Sequence, residues 1–405
     1  ANMTLIVAFL IVSLGLVAGV AGPATLLAVL LAGGIALCNA MSSAQLAANY
    51  PRSGGTYEYG YELLGPWAGF TAGWMFLSAK SASAATAALG CAAYLSLVLG
   101  LPGALRVPLA AVLVVLLTAL VAREIRRSSQ ANTVMVSVTL LALAAFVGVA
   151  LPRALSAGAQ NLTPFFPGQG GLAALLQATA LMFVAYTGYG RVATLGEEVH
   201  DPKRTIPLAI LGTLGVSVLV YGAVAYAGIG AAGAEAMAQA TQGEGAPLSV
   251  LARRLDMPLV ATALAVGAVT AMLGVLLNLL LGLSRVLLAM GRRGDAPEFT
   301  ARVSNSTPVP AVLVMGAVIL ALTLVGSLKL AWSFSAFTVL VYYALTNLAA
   351  LRLAPEQRHY PAWISVLGLV SCLSVAFFVE PRIWLVGLGW LTAGWLYRAA
   401  WRATR

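Results

Sequence analysis

The sequence predicts an all-α integral membrane protein. Hydrophobic residues make up 60% of its 405 residues and charged residues only 9%, and the mean hydropathy is +0.92. In a soluble chain, charged residues make up roughly a quarter of the total. Long unbroken apolar runs, such as residues 107–122, favour membrane helices, because a spanning strand needs only ~10 residues of alternating character. We therefore expect a bundle of transmembrane helices.

Glycine, proline and charged residues divide the apolar sequence into twelve predicted transmembrane helices. They cover residues 2–20, 24–48, 66–99, 105–122, 131–151, 172–195, 206–230, 257–290, 309–327, 330–352, 361–379 and 383–400. The spans 66–99 and 257–290 are longer than a bilayer is thick, so we expect them to be strongly tilted or to extend beyond the membrane.

Basic residues predict the orientation of the chain. Sixteen of the 23 Lys and Arg residues fall on one side of the predicted spans and six on the other, while Lys80 lies within a span. The positive-inside rule places the first side in the cytoplasm, with both termini. We expect a multi-pass protein of the cytoplasmic (inner) membrane, surrounded by lipid. The net charge of +10 comes from basic residues that lie mostly in short loops and set this orientation, so no nucleic-acid partner is expected.

Cysteine and histidine residues argue against an enzyme. Cys38, Cys91 and Cys372 lie within apolar runs and have neither a disulfide framework nor zinc-ligand spacing. His200 and His359 lie in polar loops. Because these residues form no catalytic or metal-binding pattern in the spans, we expect no enzymatic activity, no cofactor and no firmly assigned metal site.

Three groups of motifs resemble those of amino acid-polyamine-organocation (APC) permeases, in the same order and over nearly the whole chain. The first comprises residues 21–24 (Ala-Gly-Pro-Ala), 42–46, 50–57 (Tyr-Pro-Arg-Ser-Gly-Gly-Thr-Tyr) and 64–66. The second comprises residues 183–191 (Phe-Val-Ala-Tyr-Thr-Gly-Tyr-Gly-Arg), 196–199 and 201–207. The third comprises residues 284–290, 294–295 and 308–310. The chain is identified as a member of this superfamily, of the bacterial or archaeal amino acid transporter type.

The resemblance implies a transporter fold of two inverted five-helix repeats and two peripheral helices. These would be residues 1–151, 172–352 and 361–400 of this chain. The first and sixth helices would be discontinuous, and the substrate would bind beside them near the bilayer midplane. The implied function is secondary active transport of an amino acid by alternating access.

The sixth helix has its own evidence for a break. Gly188 and Gly190 interrupt an apolar span next to Thr187, and glycine permits backbone conformations that end a helix. Exposed carbonyl and amide groups would then bind an ammonium and a carboxylate. The alternative is that the glycines only allow close helix packing. The predicted substrate contacts here are Phe183, Ala185, Tyr186, Thr187 and Gly188.

The first helix departs from the family pattern. The glycine-rich stretch that binds a substrate carboxylate should lie near residues 7–11, which contain no glycine in this chain. We nevertheless place substrate contacts at Ala8, Phe9 and Leu10. Ser333 of the tenth helix is a further predicted contact, and Trp332 and Ser335 beside it are other cavity candidates.

Lys80 is predicted to lie in the middle of the third span, about 21 Å along the helix from Pro66. Small residues lie on its side of the helix at three- and four-residue spacing, which favours a face packed into the bundle. A charge at this depth is generally functional. Lys80 is therefore predicted to carry a coupling proton or to face the substrate, and the alternative is a structural amine that donates to backbone carbonyls.

Sodium coupling is a second possibility. Family members that use protons often have a lysine in the fifth helix. The resemblance implies that Thr139 occupies the matching position of this chain. Thr270 of the eighth helix would supply a second oxygen, which suits a sodium ion. The alternative is that the hydroxyl of each threonine donates to a backbone carbonyl of its own helix.

The scarcity of acids in the spans favours a neutral amino acid as substrate, since backbone dipoles can bind a zwitterion whereas a dication needs an acid or an aromatic cage. Tyr186 and Phe183 leave a polyamine or other organic amine as the alternative. Proton coupling, sodium symport and exchange all remain open. Three other classes of membrane protein are not favoured. The sequence lacks the recurring polar rings expected of a channel and the sizeable soluble domain expected of a sensor. It also lacks the nucleotide-binding motif expected of an ATP-driven pump.

Overall fold

The computed structural model describes residues 2–50, 54–123, 129–166, 171–189, 202–244, 246–304 and 307–403. Within these ranges the chain forms fifteen α-helices. They are α1 (Asn2–Ala21), α2 (Thr25–Asn49), α3 (Thr56–Leu64), α4 (Pro66–Leu99), α5 (Arg106–Ala122), α6 (Ser129–Ala157), α7 (Gly171–Tyr186), α8 (Pro202–Ala232), α9 (Ala234–Glu244), α10 (Pro247–Arg254), α11 (Pro258–Arg292), α12 (Val309–Leu324), α13 (Leu328–Leu351), α14 (Ala362–Ala376) and α15 (Pro381–Ala403).

The all-helical, multi-pass architecture is confirmed. Eight helical segments of the described residues are long and apolar enough to cross a membrane, or nine if the bent pair α14 and α15 is one span. This count takes residues 8–49, which contain most of α1 and all of α2, as one segment and omits the shorter α12. Apart from an isolated bridge between Ser304 and Thr307, the described ranges contain no β-structure.

The long predicted spans are single helices. α4 contains 34 residues and α11 contains 35, so each is about 50 Å long at 1.5 Å per residue. Both begin with a proline, which is favourable in the first helical turn because no intrahelical amide is lost. The predicted sixth span ends differently, since α7 stops at Tyr186. Residues 190–195 of that span, the motif at 196–199 and the first residue of the motif at 201–207 lie outside the described residues.

Three short helices, α3, α9 and α10, are absent from the sequence prediction. Each contains between 8 and 11 residues and lacks a long apolar run. α3 lies between Gly55 and Gly65, both with positive φ (57° and 98°). Such angles strain other residues, so these glycines allow the chain to turn sharply into α3 and from α3 into α4.

The predicted discontinuity in the first helix is wrong at residues 8–10. α1 is a continuous helix from Asn2 to Ala21, and Ala8, Phe9 and Leu10 are all buried within it. The physical reason is the composition of the segment: without glycine or proline, every residue keeps a helical backbone conformation at low cost. Any backbone groups that bind substrate here must therefore come from another helix.

The buried centre of the protein contains α1, α4, α7, α11 and α13. In α4, 78% of the apolar segment is buried, compared with 22% in α5. α4 packs against both α11 and α13, and α1 packs against α7. α4 is rich in alanine, serine and glycine, and small residues allow helix axes to approach closely in a membrane.

A charged cluster joins the end of α11 to α3 and α15. The Asp295 carboxylate accepts hydrogen bonds from Tyr57 (3.0 Å) and Tyr61 and forms ion pairs with Arg398 (3.3 Å) and Arg402 (3.1 Å). Asp295 and Arg398 are both buried. Burial, together with the hydrogen bond to Asp295, raises the pKa of Tyr61 to about 12. We call these five residues the Asp295 cluster.

Candidate functional site

The end of α7 is the first component of the candidate site. The α-helix stops at Tyr186, and Thr187–Tyr189 form a 3₁₀ turn. Gly188 lies in the middle of this turn, as expected for a residue with little conformational restriction. All three residues of the turn are buried, so the α-helical hydrogen-bond pattern changes inside the protein.

Lys80 of α4 contacts this turn directly. Its Nζ donates a hydrogen bond of 2.9 Å to Thr187 Oγ1, which itself donates to the carbonyl of Val184 at 2.7 Å. Lys80 is only 7% exposed. Within the described ranges, no carboxylate lies in ion-pair distance of Lys80 and Thr187 is its recorded polar partner. The site therefore contains a buried amine beside the turn that follows α7.

α13 completes the contact between α4 and α7. Ser335 donates to the carbonyl of Ala79 at 3.0 Å, and its oxygen lies 2.8 Å from Ser83 Oγ. Trp332, one turn earlier on α13, donates from Nε1 to the carbonyl of Leu181 on α7 at 2.9 Å. These bonds join α13 to α4 and α7, and Ser333, which lies between Trp332 and Ser335 in sequence, is also buried.

Phe9 brings α1 to the same place. Its ring meets Trp332 edge to face, with centroids 5.1 Å apart, an arrangement that aromatic quadrupoles favour. Ala8 and Leu10 are also fully buried. Because α1 is continuous, its contribution here is apolar side chains, and the irregular backbone belongs to the turn at Thr187–Tyr189.

Three predicted contacts of α7 make bonds or ring contacts with other helices. Tyr186 donates to the carbonyl of Val29 on α2 at 3.1 Å and packs on Tyr221 of α8, with centroids 4.6 Å apart. The carbonyl of Ala185 accepts from Tyr221 at 3.0 Å. Phe183 meets Tyr343 of α13 edge to face at 5.6 Å. These contacts hold the end of α7 in place, and the groups nearest Lys80 are on the turn that follows.

Thr139 and Thr270 lie close to each other across the contact between α6 and α11. Both hydroxyls donate to the carbonyl of Gly267 at 3.1 Å, and each also donates to a carbonyl of its own helix, Met135 for Thr139 and Val266 for Thr270. A side chain at Gly267 would press on the backbone of Thr139. In the described residues, no group of three or more His, Cys, Asp or Glu side chains is arranged to hold a metal.

Tyr189 is a buried site residue that the sequence analysis omits. Its ring lies 5.6 Å from that of Tyr343, and it closes the turn that begins at Thr187. Its position two residues after Thr187 was the available signal, but a tyrosine in an apolar span resembles an ordinary packing residue.

Comparisons with known proteins agree with this architecture. The Amino acid permease family model matches residues 4–402. An uncharacterized transporter of Mycobacterium tuberculosis is 40% identical over 365 residues, which are 88% of this chain and 79% of that protein. A methylthioribose transporter of Bacillus subtilis is 27% identical over 93% of this chain and 85% of its own length. A branched-chain amino acid permease of the same organism is 28% identical over 92% and 82%.

These matches cover the helices that form the site as well as those around it. They connect the motifs of the second, sixth and eighth predicted spans in one continuous alignment, and the relatives are transporters and not enzymes. The chain is a transporter and a member of the amino acid permease family.

Proposed function

We propose that this protein transports a neutral amino acid across the cytoplasmic membrane by alternating access, with proton coupling through Lys80. The observation that carries the proposal is the hydrogen bond from Lys80 to Thr187, 2.9 Å long and buried. It places a cation beside the turn where α7 stops being α-helical. A buried charge at a change in helical backbone is costly, so functional use is its best explanation.

The charge of Lys80 favours a substrate with a carboxylate. In a medium of low dielectric constant, an anion near the ammonium is stabilised and a second cation is repelled. A zwitterionic amino acid satisfies this condition, because its carboxylate faces Lys80 while its ammonium binds backbone carbonyls of the Thr187–Tyr189 turn. The alternative polyamine or organic amine would add positive charge beside Lys80 without a carboxylate among the described site residues.

The remaining wall of the site suits an apolar side chain. Phe9, Trp332 and Phe183 are fully or almost fully buried, and such aromatic walls provide apolar contact area. The branched-chain amino acid permease among the relatives supports a substrate of this kind. The methylthioribose transporter indicates that a related chain serves a polar substrate, and the buried hydroxyls of Ser83, Ser333 and Ser335 are polar groups that such a substrate could meet, so methylthioribose is included among the tested substrates.

The arrangement of the threonines favours proton coupling over sodium coupling. Thr139 and Thr270 already donate to backbone carbonyls, as isolated threonines of membrane helices do. Lys80, in contrast, has a dissociable proton and a single hydroxyl acceptor on the turn. Loss of that proton would remove the charge and weaken the contact between α4 and α7, which links protonation to helix movement.

The proposal includes the complete family topology. Twelve spans, repeats at residues 1–151 and 172–352, peripheral helices at 361–400 and two cytoplasmic termini would place the Thr187–Tyr189 turn near the bilayer midplane. The described helices coincide with the predicted spans within a few residues over most of the chain, which supports this topology.

The experiment is uptake into liposomes that contain purified protein. Leucine, alanine, arginine, spermidine and methylthioribose are compared as labelled substrates, each with an inward proton gradient, an inward sodium gradient or neither. We expect leucine or alanine to accumulate with the proton gradient. Accumulation of spermidine without either neutral amino acid would overturn the substrate assignment, and accumulation driven only by sodium would overturn proton coupling.

Two variants test the role of Lys80. Lys80→Met keeps most of the side-chain volume but removes the charge that faces the carboxylate, so it should bind substrate more weakly, and its remaining uptake should not respond to the proton gradient. Thr187→Val removes the acceptor of a charged hydrogen bond, worth ~1.5–3 kcal/mol, and should lower uptake about tenfold or more. Thr213→Val is the matched control, because the hydroxyl bond of Thr213 among the described residues is to Ala209 of its own helix, α8. Parent-like gradient dependence in Lys80→Met would refute the coupling role.

A further inference from the structure

A row of polar side chains follows the second half of α2. From Leu26 to Cys38 the helix contains only apolar residues and glycine, and beyond Cys38 it carries amide and hydroxyl groups at three- and four-residue spacing. This spacing places them on one face of the helix, over a length of about 15 Å at 1.5 Å per residue. The predicted orientation directs this half of α2 towards the cytoplasm. The row consists of Asn39, Ser42, Gln45 and Asn49.

Two neighbouring helices form a hydrogen-bonded network with this row. Ser42 donates from Oγ to Asn347 Oδ1 of α13 at 2.7 Å, and its oxygen lies 2.8 Å from Ser365 Oγ of α14. Asn347 Nδ2 donates to Asn39 Oδ1. Asn39, Ser42 and Asn347 are fully buried, and Ser365 is almost fully buried. We call these four residues the α2 polar track.

The track begins beside the candidate site. Asn347 donates to the carbonyl of Tyr343, one turn earlier on α13, at 2.9 Å, and the Tyr343 ring lies 5.6 Å from that of Tyr189. The Tyr189 hydroxyl is buried and forms no hydrogen bond of normal geometry within the described residues. A buried hydroxyl in this condition is costly, and a hydroxyl that can both donate and accept is suited to relaying a proton.

The track leads to the surface at the predicted cytoplasmic end of α2. Gln45, one turn beyond Ser42, is buried, and its Oε1 accepts from the backbone amide of His359 at 3.3 Å. Asn49, one turn further, is half-buried and donates to the carbonyl of Gln357 at 2.8 Å. Both partners lie in the connection between α13 and α14, where His359 is exposed. Polar groups thus continue from the candidate site to an exposed loop.

Packing makes the track too narrow for an amino acid. Its side chains touch one another at hydrogen-bond distance, and a Cβ at Gly368 of α14 would lie only 2.6 Å from Asn347 Oδ1. A proton, in contrast, moves along hydrogen bonds that are already formed, and one water molecule bridges a gap of about one helical turn, ~5 Å. Helix packing alone needs only small residues, and polar groups at this depth are generally functional.

We propose that the α2 polar track is a proton exit route, separate from the substrate pathway, through which the proton of Lys80 reaches the cytoplasm. The inference rests on the proposed proton coupling. The Lys80 ammonium loses one proton and becomes a neutral amine, with Tyr189 as the first relay. Each hydroxyl of the track accepts one proton and releases another, so one proton leaves at the Gln45 end and no electron is transferred.

The test compares net uptake with exchange in liposomes that enclose the pH indicator pyranine. The labelled substrate is leucine or, among the five compounds named above, the one that the parent protein accumulates. Net uptake with a proton must release that proton inside, so the lumen acidifies. Exchange between equal substrate concentrations on the two sides proceeds with the proton bound and needs no release. A defect in the route should therefore lower acidification while exchange continues.

Ser42→Ala removes the hydroxyl that joins Asn347 to Ser365. It should lower the rate of substrate-dependent acidification about tenfold or more, as loss of a positioned proton-transfer group does, and should leave exchange close to that of the parent. Ser249→Ala is the matched control, because Ser249 is a buried serine of α10 whose hydroxyl bonds to the carbonyl of Ala261. This control should change neither rate.

Gly368→Ala is a second variant, which keeps every polar group of the track. Its methyl group would press on the Asn347 amide and move it out of line with Ser42, so acidification should again fall while exchange persists. Gly389→Ala is its control on α15, because a Cβ there meets nothing within 4 Å. The melting temperature of each variant in detergent shows whether it is folded.

Each possible result has a definite meaning. Parent-like acidification in Ser42→Ala or Gly368→Ala would overturn the route and leave the proposed proton coupling intact. An equal fall in acidification and exchange in these variants, with both controls unaffected, would assign the track to helix packing and also overturn the route. Absence of acidification by the parent protein would overturn proton coupling and the route together.

Discussion

Replacing Asp295 with asparagine should destabilise the protein, because it leaves a buried guanidinium without its anion. Asp295 and Arg398 are 1% and 2% exposed. Arg398 Nε lies 3.3 Å from the carboxylate, and the Tyr57 hydroxyl donates to it at 3.0 Å. Asparagine has nearly the same shape, so the change removes charge and one acceptor without creating a cavity.

The expected loss in free energy of unfolding follows from the environment of each partner of Asp295. Removing one member of a buried ion pair costs ~3–5 kcal/mol. The Arg402 side chain is 48% exposed, so its lost pair adds little. The Arg398 guanidinium also lies over the rings of Trp67 and Phe70, at 4.6 and 5.3 Å, and these contacts remain in the variant. We therefore expect the free energy of unfolding to fall by about 3 kcal/mol, near the lower limit of the range for a broken buried ion pair.

Thermal unfolding of purified protein in detergent is the assay. At ~2 °C per kcal/mol, Asp295→Asn should lower the apparent melting temperature by about 6 °C. Glu380→Gln is the matched control, because the Glu380 and Lys329 side chains of its ion pair are 34% and 55% exposed, and a pair open to solvent is worth ~1 kcal/mol or less. If Asp295→Asn melts within 1 °C of Glu380→Gln, on the order of 0.5 kcal/mol, the assignment of a buried ion pair is refuted.

Three further predictions concern the site and the topology. Gly188→Val should abolish uptake with only a small effect on melting, because a β-branched residue penalises the turn; normal uptake would contradict a site there. Trp332→Phe removes the donor to Leu181 and should lower the melting temperature by about 2 °C for ~1 kcal/mol, and an unchanged value would show that this bond contributes nothing. Lys203→Cys should resist an impermeant thiol reagent added outside intact cells, since the positive-inside rule predicts that the first turn of α8 faces the cytoplasm; labelling from outside would reverse the predicted orientation.

The sequence by itself determined the class of the protein and most of its helices. The predicted span at residues 66–99 coincides with α4, Pro66–Leu99, and that at 309–327 begins where α12 begins. Apolar runs are long because each must cross the bilayer, and proline and glycine mark their ends through backbone conformation alone. The short helices α3, α9 and α10 were not predicted, because a helix that does not cross the bilayer does not need a long apolar run.

Only the tertiary structure decided which side chains meet. Spacing along α4 predicted that Lys80 faces the bundle, but its acceptor is Thr187, 107 residues away. Tyr186, beside Thr187 in sequence, bonds instead to Val29 of α2. The continuous α1 likewise shows that a family pattern does not determine the backbone when the glycines are missing. Helical periodicity sets the direction of a side chain, whereas its partner depends on how separate helices pack, and that is settled by contacts distant in sequence.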